Sequence, residues 1–352
     1  MSTTHHELHH KLYTLIPVSV YSLYMLQSSL PSLQPHLLYP QARLQWKRCA
    51  DAPAEMFCAH VVVMGEKVYV GGGVTENKDD AYYIFQYNTS GDEWSRLPPH
   101  PRSLICFAMA HFTGHLITVG GGIKGSGATG KVYRFKEVSQ EWEEFLQPMP
   151  TARFCFSVAT TQSAIIAIGG ATGVRDGKNV PCATVEMYSN ETSQWYTADP
   201  LPAPYYLMSS ITIAGTCYLL GGRGANNKPT TAVLYAHLAS LVQKAISHTH
   251  QSASRTSVWK TLPDTPLKAS AVASLSGNLL AVGGHDTKTT FPAINVYFPL
   301  TNSWVRLVGG DLPEPCTLCT AVQLSSNTMI VIGGWNNQDK LTKTVFIGTV
   351  TV

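Results

Sequence analysis

Three constellations in this chain have the residue types of a chemical site. His6-Glu7-Leu8-His9-His10 fits H-E-x-x-H, in which two imidazoles one helical turn apart hold zinc and the glutamate works as a base. That chemistry needs a buried helix and a third ligand. The segment sits at the extreme terminus without an amphipathic context, so adventitious metal affinity is the stronger reading. Gly125-Ser126-Gly127-Ala128-Thr129-Gly130 matches G-x-G-x-x-G, but a dinucleotide site needs a helix next, to hold the pyrophosphate at its N-terminus. The next residues are KVYRF, which read as a strand. Cys316-Thr317-Leu318-Cys319 is a lone C-x-x-C. Zinc needs two more ligands and a redox motif a βαβ context. Within a strand, residues three apart point to opposite faces.

Other thiols share a register. Cys106, Cys155 and Cys319 each lie 14 residues before a glycine pair. Packing of a small side chain at a crowded position is the simplest account. A sensing thiol is the alternative, with Arg153 placed to lower the pKa of Cys155.

Composition excludes whole classes of function. Among 352 residues, 25 Lys and Arg balance 22 Asp and Glu, for a net charge of +3. No basic stripe suggests nucleic acid. Hydrophobic residues make up 44%, so a sizeable core is expected. Eight cysteines without framework spacing read as reduced thiols, which points to the cytoplasm. A secreted protein is the weaker alternative. The apolar run Leu12–Leu26 is broken by Pro17, is too short to span a bilayer, and lacks the basic start of a signal peptide. Residues 1–43 are expected to be a poorly ordered leader.

The elements that would position any site come from a repeat. A glycine pair follows an apolar run six times: VYVGG at Gly71-Gly72, ITVGG at Gly120-Gly121, IAIGG at Gly169-Gly170, YLLGG at Gly221-Gly222, LAVGG at Gly283-Gly284 and IVIGG at Gly333-Gly334. An aromatic comes after each pair: Tyr87, Phe135, Tyr188, Tyr235, Tyr297 and Phe346. A tryptophan falls seven residues later in four repeats, at Trp94, Trp142, Trp195 and Trp304. In the fourth repeat Trp259 is delayed by an insertion over about 236–255. Short β runs punctuated by Gly and Pro argue for four strands, a to d, per unit.

This pattern resembles the kelch family of β-propellers over residues 44–352. The resemblance implies an all-β ring of six blades, each a four-stranded sheet. The last repeat has no tryptophan after Phe346, while Leu44-Gln45-Trp46-Lys47-Arg48 is a strand d without a preceding a to c. The N-terminal strand is therefore expected to complete the sixth blade, pairing with the strand around Thr344–Thr349.

In kelch propellers the face carrying the b–c loops is typically the protein-binding surface. Counting from the glycine pairs and from the entries to strand a puts Arg102, Arg153, Tyr205, Tyr206, Arg223, Lys268, His285 and Trp335 near its mouth. Tyr, Trp and Arg dominate interface hot spots, and arginines grip carboxylates. The expected function is a non-catalytic interaction module, a scaffold or recognition adaptor for a protein or peptide. The propeller is expected to be monomeric, without cofactor, nucleic acid or membrane span. Kelch proteins often add an oligomerisation and ligase-recruiting domain. The residues before position 44 are too few to encode one, so the chain reads as a stand-alone scaffold or a fragment. The rival is a metal-dependent oxidase or specifier enzyme, for which His285 with Tyr205 or Tyr206 are the only suggestive ligands. The insertion is expected to be a solvated loop on the opposite face.

Overall fold

The computed structural model describes residues 43–75, 83–123, 127–247 and 256–351. The H-E-x-x-H segment, the leader up to residue 42, the tip of the second b–c loop at 124–126 and insertion residues 248–255 lie outside the described residues. Each repeat folds as its punctuation dictates. In blade one, His60–Met64, Lys67–Gly71, Phe85–Asn88 and Glu93–Arg96 pair antiparallel in chain order. Blade three (Ser157–Thr160, Ala164–Ile168, Val185–Ser189, Gln194–Thr197) repeats this order, as do blade four (Ser209–Ile213, Thr216–Leu220, Val233–His237, Lys260–Leu262) and blade five (Ala271–Leu275, Asn278–Val282, Ile294–Phe298, Ser303–Arg306). In blade two the inner strand is broken. Leu104–Ile105 and Ala108–Phe112 both pair with His115–Ile123, which leads to Gly127–Lys136 and Glu141–Leu146. The glycine motif at 125–130 thus runs into a strand, as KVYRF requires.

Blade six closes the ring. Thr320–Ser325, Thr328–Ile332 and Val345–Thr351 are completed by Arg43–Arg48 as the outer strand. The pairing begins at Arg43 and runs Arg43↔Thr351 to Arg48↔Phe346, two residues further along the last strand than Thr344–Thr349. Trp46 therefore faces Gly348, whereas Trp94, Trp142, Trp195 and Trp304 face the aromatics Tyr87, Phe135, Tyr188 and Tyr297. Gly348 accommodates this offset, because a Cβ there would lie 2.7 Å from the Trp46 ring.

Each sheet alone leaves two apolar faces, and the blades cover one another. Among the described residues six clusters each span one blade junction. Val68, Val70 and Tyr87 meet Ile330, Ile332 and Val345 between blades one and six, and Ile166 and Met187 meet Leu219 and Leu234 between blades three and four. The remaining junctions are built alike.

Tryptophan adds a polar stitch. The indole N–H donates to a carbonyl just after strand d of the preceding blade: Trp94 to Ala50, Trp142 to Pro98, Trp195 to Gln147, Trp259 to Asp199, Trp304 to Pro263 and Trp46 to Gly310, at 2.8 to 3.4 Å. A buried indole finds a partner in this way, and the bond survives even in blades four and six, where the tryptophan is out of step with the aromatic.

The glycine pair lets neighbouring chains approach. Gly333 (φ 62°) and Gly334 (φ 94°) lie in the left-handed region. A Cβ on Gly333 would come 2.6 Å from the Met56 carbonyl, to which the Gly334 amide donates at 3.0 Å. In blade one the structural pair is Gly72-Gly73, not Gly71-Gly72. Gly72 has φ 72°, and a Cβ on Gly73 would meet the Phe57 carbonyl as its counterparts meet theirs. The run of three glycines hides this one-residue difference.

The insertion is not simply a solvated loop. Leu238–Ser247 forms a helix, α1, whose Leu238, Leu241 and Ala245 are buried against the junction of blades three and four. Lys244 pairs with Asp199 at 2.7 Å and donates to the Thr256 carbonyl, tying the helix to strand d of its own blade and to blade three.

Candidate functional site

The mouth residues are fixed by sheet register. At the end of strand b the chain bridges back to the entry of strand a in every blade: Phe57↔Val74, Ile105↔Gly122, Phe154↔Ala171, Tyr206↔Arg223, Lys268↔His285 and Thr317↔Trp335. These pairs form a rim. Blade three raises a two-stranded extension from it, Ala171–Arg175 with Lys178–Pro181.

The residue after each strand-a entry turns left-handed: Cys58, Cys106, Cys155, Leu207, Ala269 and Leu318 all have φ between 52° and 57°. This conformation costs a non-glycine residue on the order of 1 kcal/mol, and the ring holds it. Amides pass hydrogen bonds from blade to blade, Leu207 to Cys155, Cys155 to Cys106, Leu318 to Ala269 and Cys58 to Leu318, at 2.8 to 3.1 Å. The third cysteine in this register is therefore Cys58, not Cys319. An irregularity between Gln323 and Ser325 adds one residue to blade six and moves Cys319 one place on.

Inside this ring lies a central channel of about 290 Å³ lined by Arg223, His285, Phe57, His60 and the three cysteines among others. Arg223 and His285 therefore meet at the channel, while Lys268 and Trp335 stand on the rim beside them. Arg223 is half-buried and donates to the Asn227 carbonyl at 2.6 Å. Trp335 packs edge-on against Phe57 with ring centroids 5.9 Å apart. Arg102 is exposed on blade two and donates from Nε to the Tyr133 hydroxyl. Tyr205 is half-buried against the blade three–four core, and Tyr206 is buried with its hydroxyl donating to Asn227.

Arg153 departs from expectation. It is 0% exposed, bound to Glu186 at 3.2 Å and donating to the Ala167 carbonyl, so it cannot touch a partner. Position relative to the glycine pair located its backbone but not the direction of its side chain. Tyr206, 4% exposed with its hydroxyl bound to Asn227, is likewise closed to a partner.

Sequence reasoning missed His60. It lines the channel, and burial lowers its pKa to about 4 against a raising hydrogen bond with the Phe156 backbone. Its imidazole is neutral at pH 7. The signal was available, since His60 stands two places after Cys58 at the start of strand a. The C-x-x-C also differs from expectation: its residues precede the strand, the Cys316 thiol donates to the Gly333 carbonyl at 3.2 Å, and burial, then the neighbouring Cys319, raises the Cys316 pKa. Among the described residues no three His, Cys, Asp or Glu side chains converge as a metal cage requires.

With this geometry in view, the comparisons agree. The Kelch motif description matches residues 56–101 and 152–202. The chain is 25% identical over 288 residues to Kelch-like protein terF of Aspergillus terreus, covering 77% of this chain and 60% of that one. It is 26% identical over 214 residues to Beta-scruin of Limulus polyphemus (57% and 23% covered) and 24% identical over 226 residues to Kelch-like protein 38 of Rattus norvegicus (63% and 35%). It thus spans less than two thirds of the length of each of these relatives. The solved structure of YjhT superposes with a TM-score of 0.68 at 14% identity, covering 86% of this chain and 99% of that one. The chain is a six-bladed β-propeller closed by an N-terminal strand, and the Kelch motif matches and Kelch-like relatives support the kelch-repeat propeller family.

Proposed function

We propose that this protein is a non-catalytic interaction module, a scaffold or recognition adaptor, whose b–c face binds a protein or peptide carrying an acidic segment. The observation that carries the reading is the rim itself. Arg223, Lys268, His285 and Trp335 come from three successive blades, each locked in a β-bridge beside the channel. Among the described residues neither Arg223 nor Lys268 joins an ion pair. Preorganised cations beside an aromatic anchor suit carboxylate recognition. The kelch-like relatives support an interaction role. We place the module in the cytoplasm as a monomer; no helix among the described residues is long and apolar enough to cross a membrane.

The test is affinity purification of partners with the wild type and with Arg223→Ala/Lys268→Ala/Trp335→Ala, after matching their thermal unfolding. The expected result is loss of the main partner by tenfold or more, with wild-type capture weakened by salt. Equal recovery by both proteins overturns the assigned face.

A further inference from the structure

Cys106 and Cys155 occupy the same step in neighbouring blades two and three. Each is the left-handed residue before its inner strand, with φ 52° and 53°. The Cys155 amide donates to the Cys106 carbonyl at 2.9 Å. Chains joined by such a bond run about 5 Å apart, within the span of Cα separations that a disulfide bridges. Each thiol also shifts the other's ionisation. Both line the channel, at 9% and 8% exposure, so a water-sized solute that enters it reaches them. Their apolar surroundings are Ala171 and Tyr206.

We propose that Cys106 and Cys155 are a modification site, a dithiol in the channel wall that small peroxides oxidise to a disulfide joining blades two and three. The pair divides the labour. Interaction between the two sulfurs lowers the Cys106 pKa and raises that of Cys155 well above the usual thiol value. Cys106 is thus the sulfur that ionises, and the thiolate is the nucleophile. It attacks one oxygen of hydrogen peroxide. The O–O bond breaks, hydroxide leaves and takes up the proton shed by Cys106 to become water, and Cys106 becomes a sulfenic acid. The Cys155 sulfur then attacks the Cys106 sulfur. The S–S bond forms, the S–O bond breaks, and the hydroxyl departs with the Cys155 proton as a second water. Two thiols lose two electrons, and one peroxide is reduced to two waters. Cys58 occupies the same step in blade one, but burial pushes its thiol up to about 12, which makes it the poorer nucleophile.

The experiment treats the native full chain with hydrogen peroxide, quenches with an alkylating reagent in denaturant, and maps tryptic peptides without reduction. The expected result is a fall from eight alkylated thiols to six, with peptide 103–124 linked to peptide 154–175. Retention of all eight thiols overturns the proposal. So does a link within peptide 307–340, which holds Cys316 and Cys319, or a link to Cys58. A folded Cys155→Ser variant is expected to stop at a sulfenic acid on Cys106, trapped by a cyclic 1,3-dione. Absence of that adduct counts against Cys106 as the attacking sulfur.

Discussion

Arg153 and Glu186 form an ion pair sealed inside blade three, with Arg153 Nη2 and Glu186 Oε2 3.2 Å apart. Glu186 also accepts from the Thr151 amide and hydroxyl, while Arg153 Nε and Nη1 have no hydrogen-bonded partner. The Cys182 thiol lies against the guanidinium, and burial lowers the arginine's pKa despite Glu186. Removing one partner strands a buried charge. Arg153→Met is expected to cost about 3–5 kcal/mol, and Arg153→Met/Glu186→Leu clearly less. Urea unfolding midpoints read the difference, and equal losses for single and double variants would show that the charge is not the issue.

His100 sets a pH response. Its ring lies among Phe107, Tyr133 and Trp142, with Nε2 3.0 Å from the Thr118 hydroxyl. Burial lowers its pKa to about 4, against a raising hydrogen bond to Arg102. The unfolded chain binds this proton near pH 6.5, so the unfolded state holds more protons between those values. Stability from this residue is complete above pH 6.5 and declines as pH falls toward 4, by at most ~3 kcal/mol. Denaturant titrations across that window are expected to show a steeper fall in the wild type than in His100→Gln.

The seam of blade six offers a steric test. Gly348 sits under the Trp46 ring, so Gly348→Ala places a methyl against three ring atoms within 2.9 Å. Overpacking of this kind costs about 1–3 kcal/mol. Trp46→Ala loses its own packing and the bond to Gly310. The double variant is expected to cost less than the two single losses together, because the clash needs both groups. Additive losses in a denaturation cycle would place the effect of Gly348 elsewhere.

What could be read from the chain was whatever repeats. Glycine pairs, aromatics and tryptophans recur because every blade junction needs the same close approach and the same large apolar filler, and Trp46 revealed the closing strand. What escaped was what differs between blades. Arg153 sits where a rim residue is expected, and only Glu186, 33 positions later in the sequence, explains why it turns inward. The one-residue irregularity near Gln323 took Cys319 out of the ring register, and the shifted glycine pair of blade one, Gly72-Gly73, hid Cys58. In the insertion, Leu238, Leu241 and Ala245 have helical spacing, yet their burial depends on an apolar strip of the neighbouring blade that no local pattern shows.

Because Arg43 pairs with Thr351, 308 positions apart in the chain, the outer strand of blade six is made long before its partner exists. During synthesis it must wait with one edge exposed while five blades assemble behind it. A ribosome that stalls before residue 345 therefore leaves an open arc with an unsatisfied flank, a ready target for chaperones or for mispairing with another nascent chain.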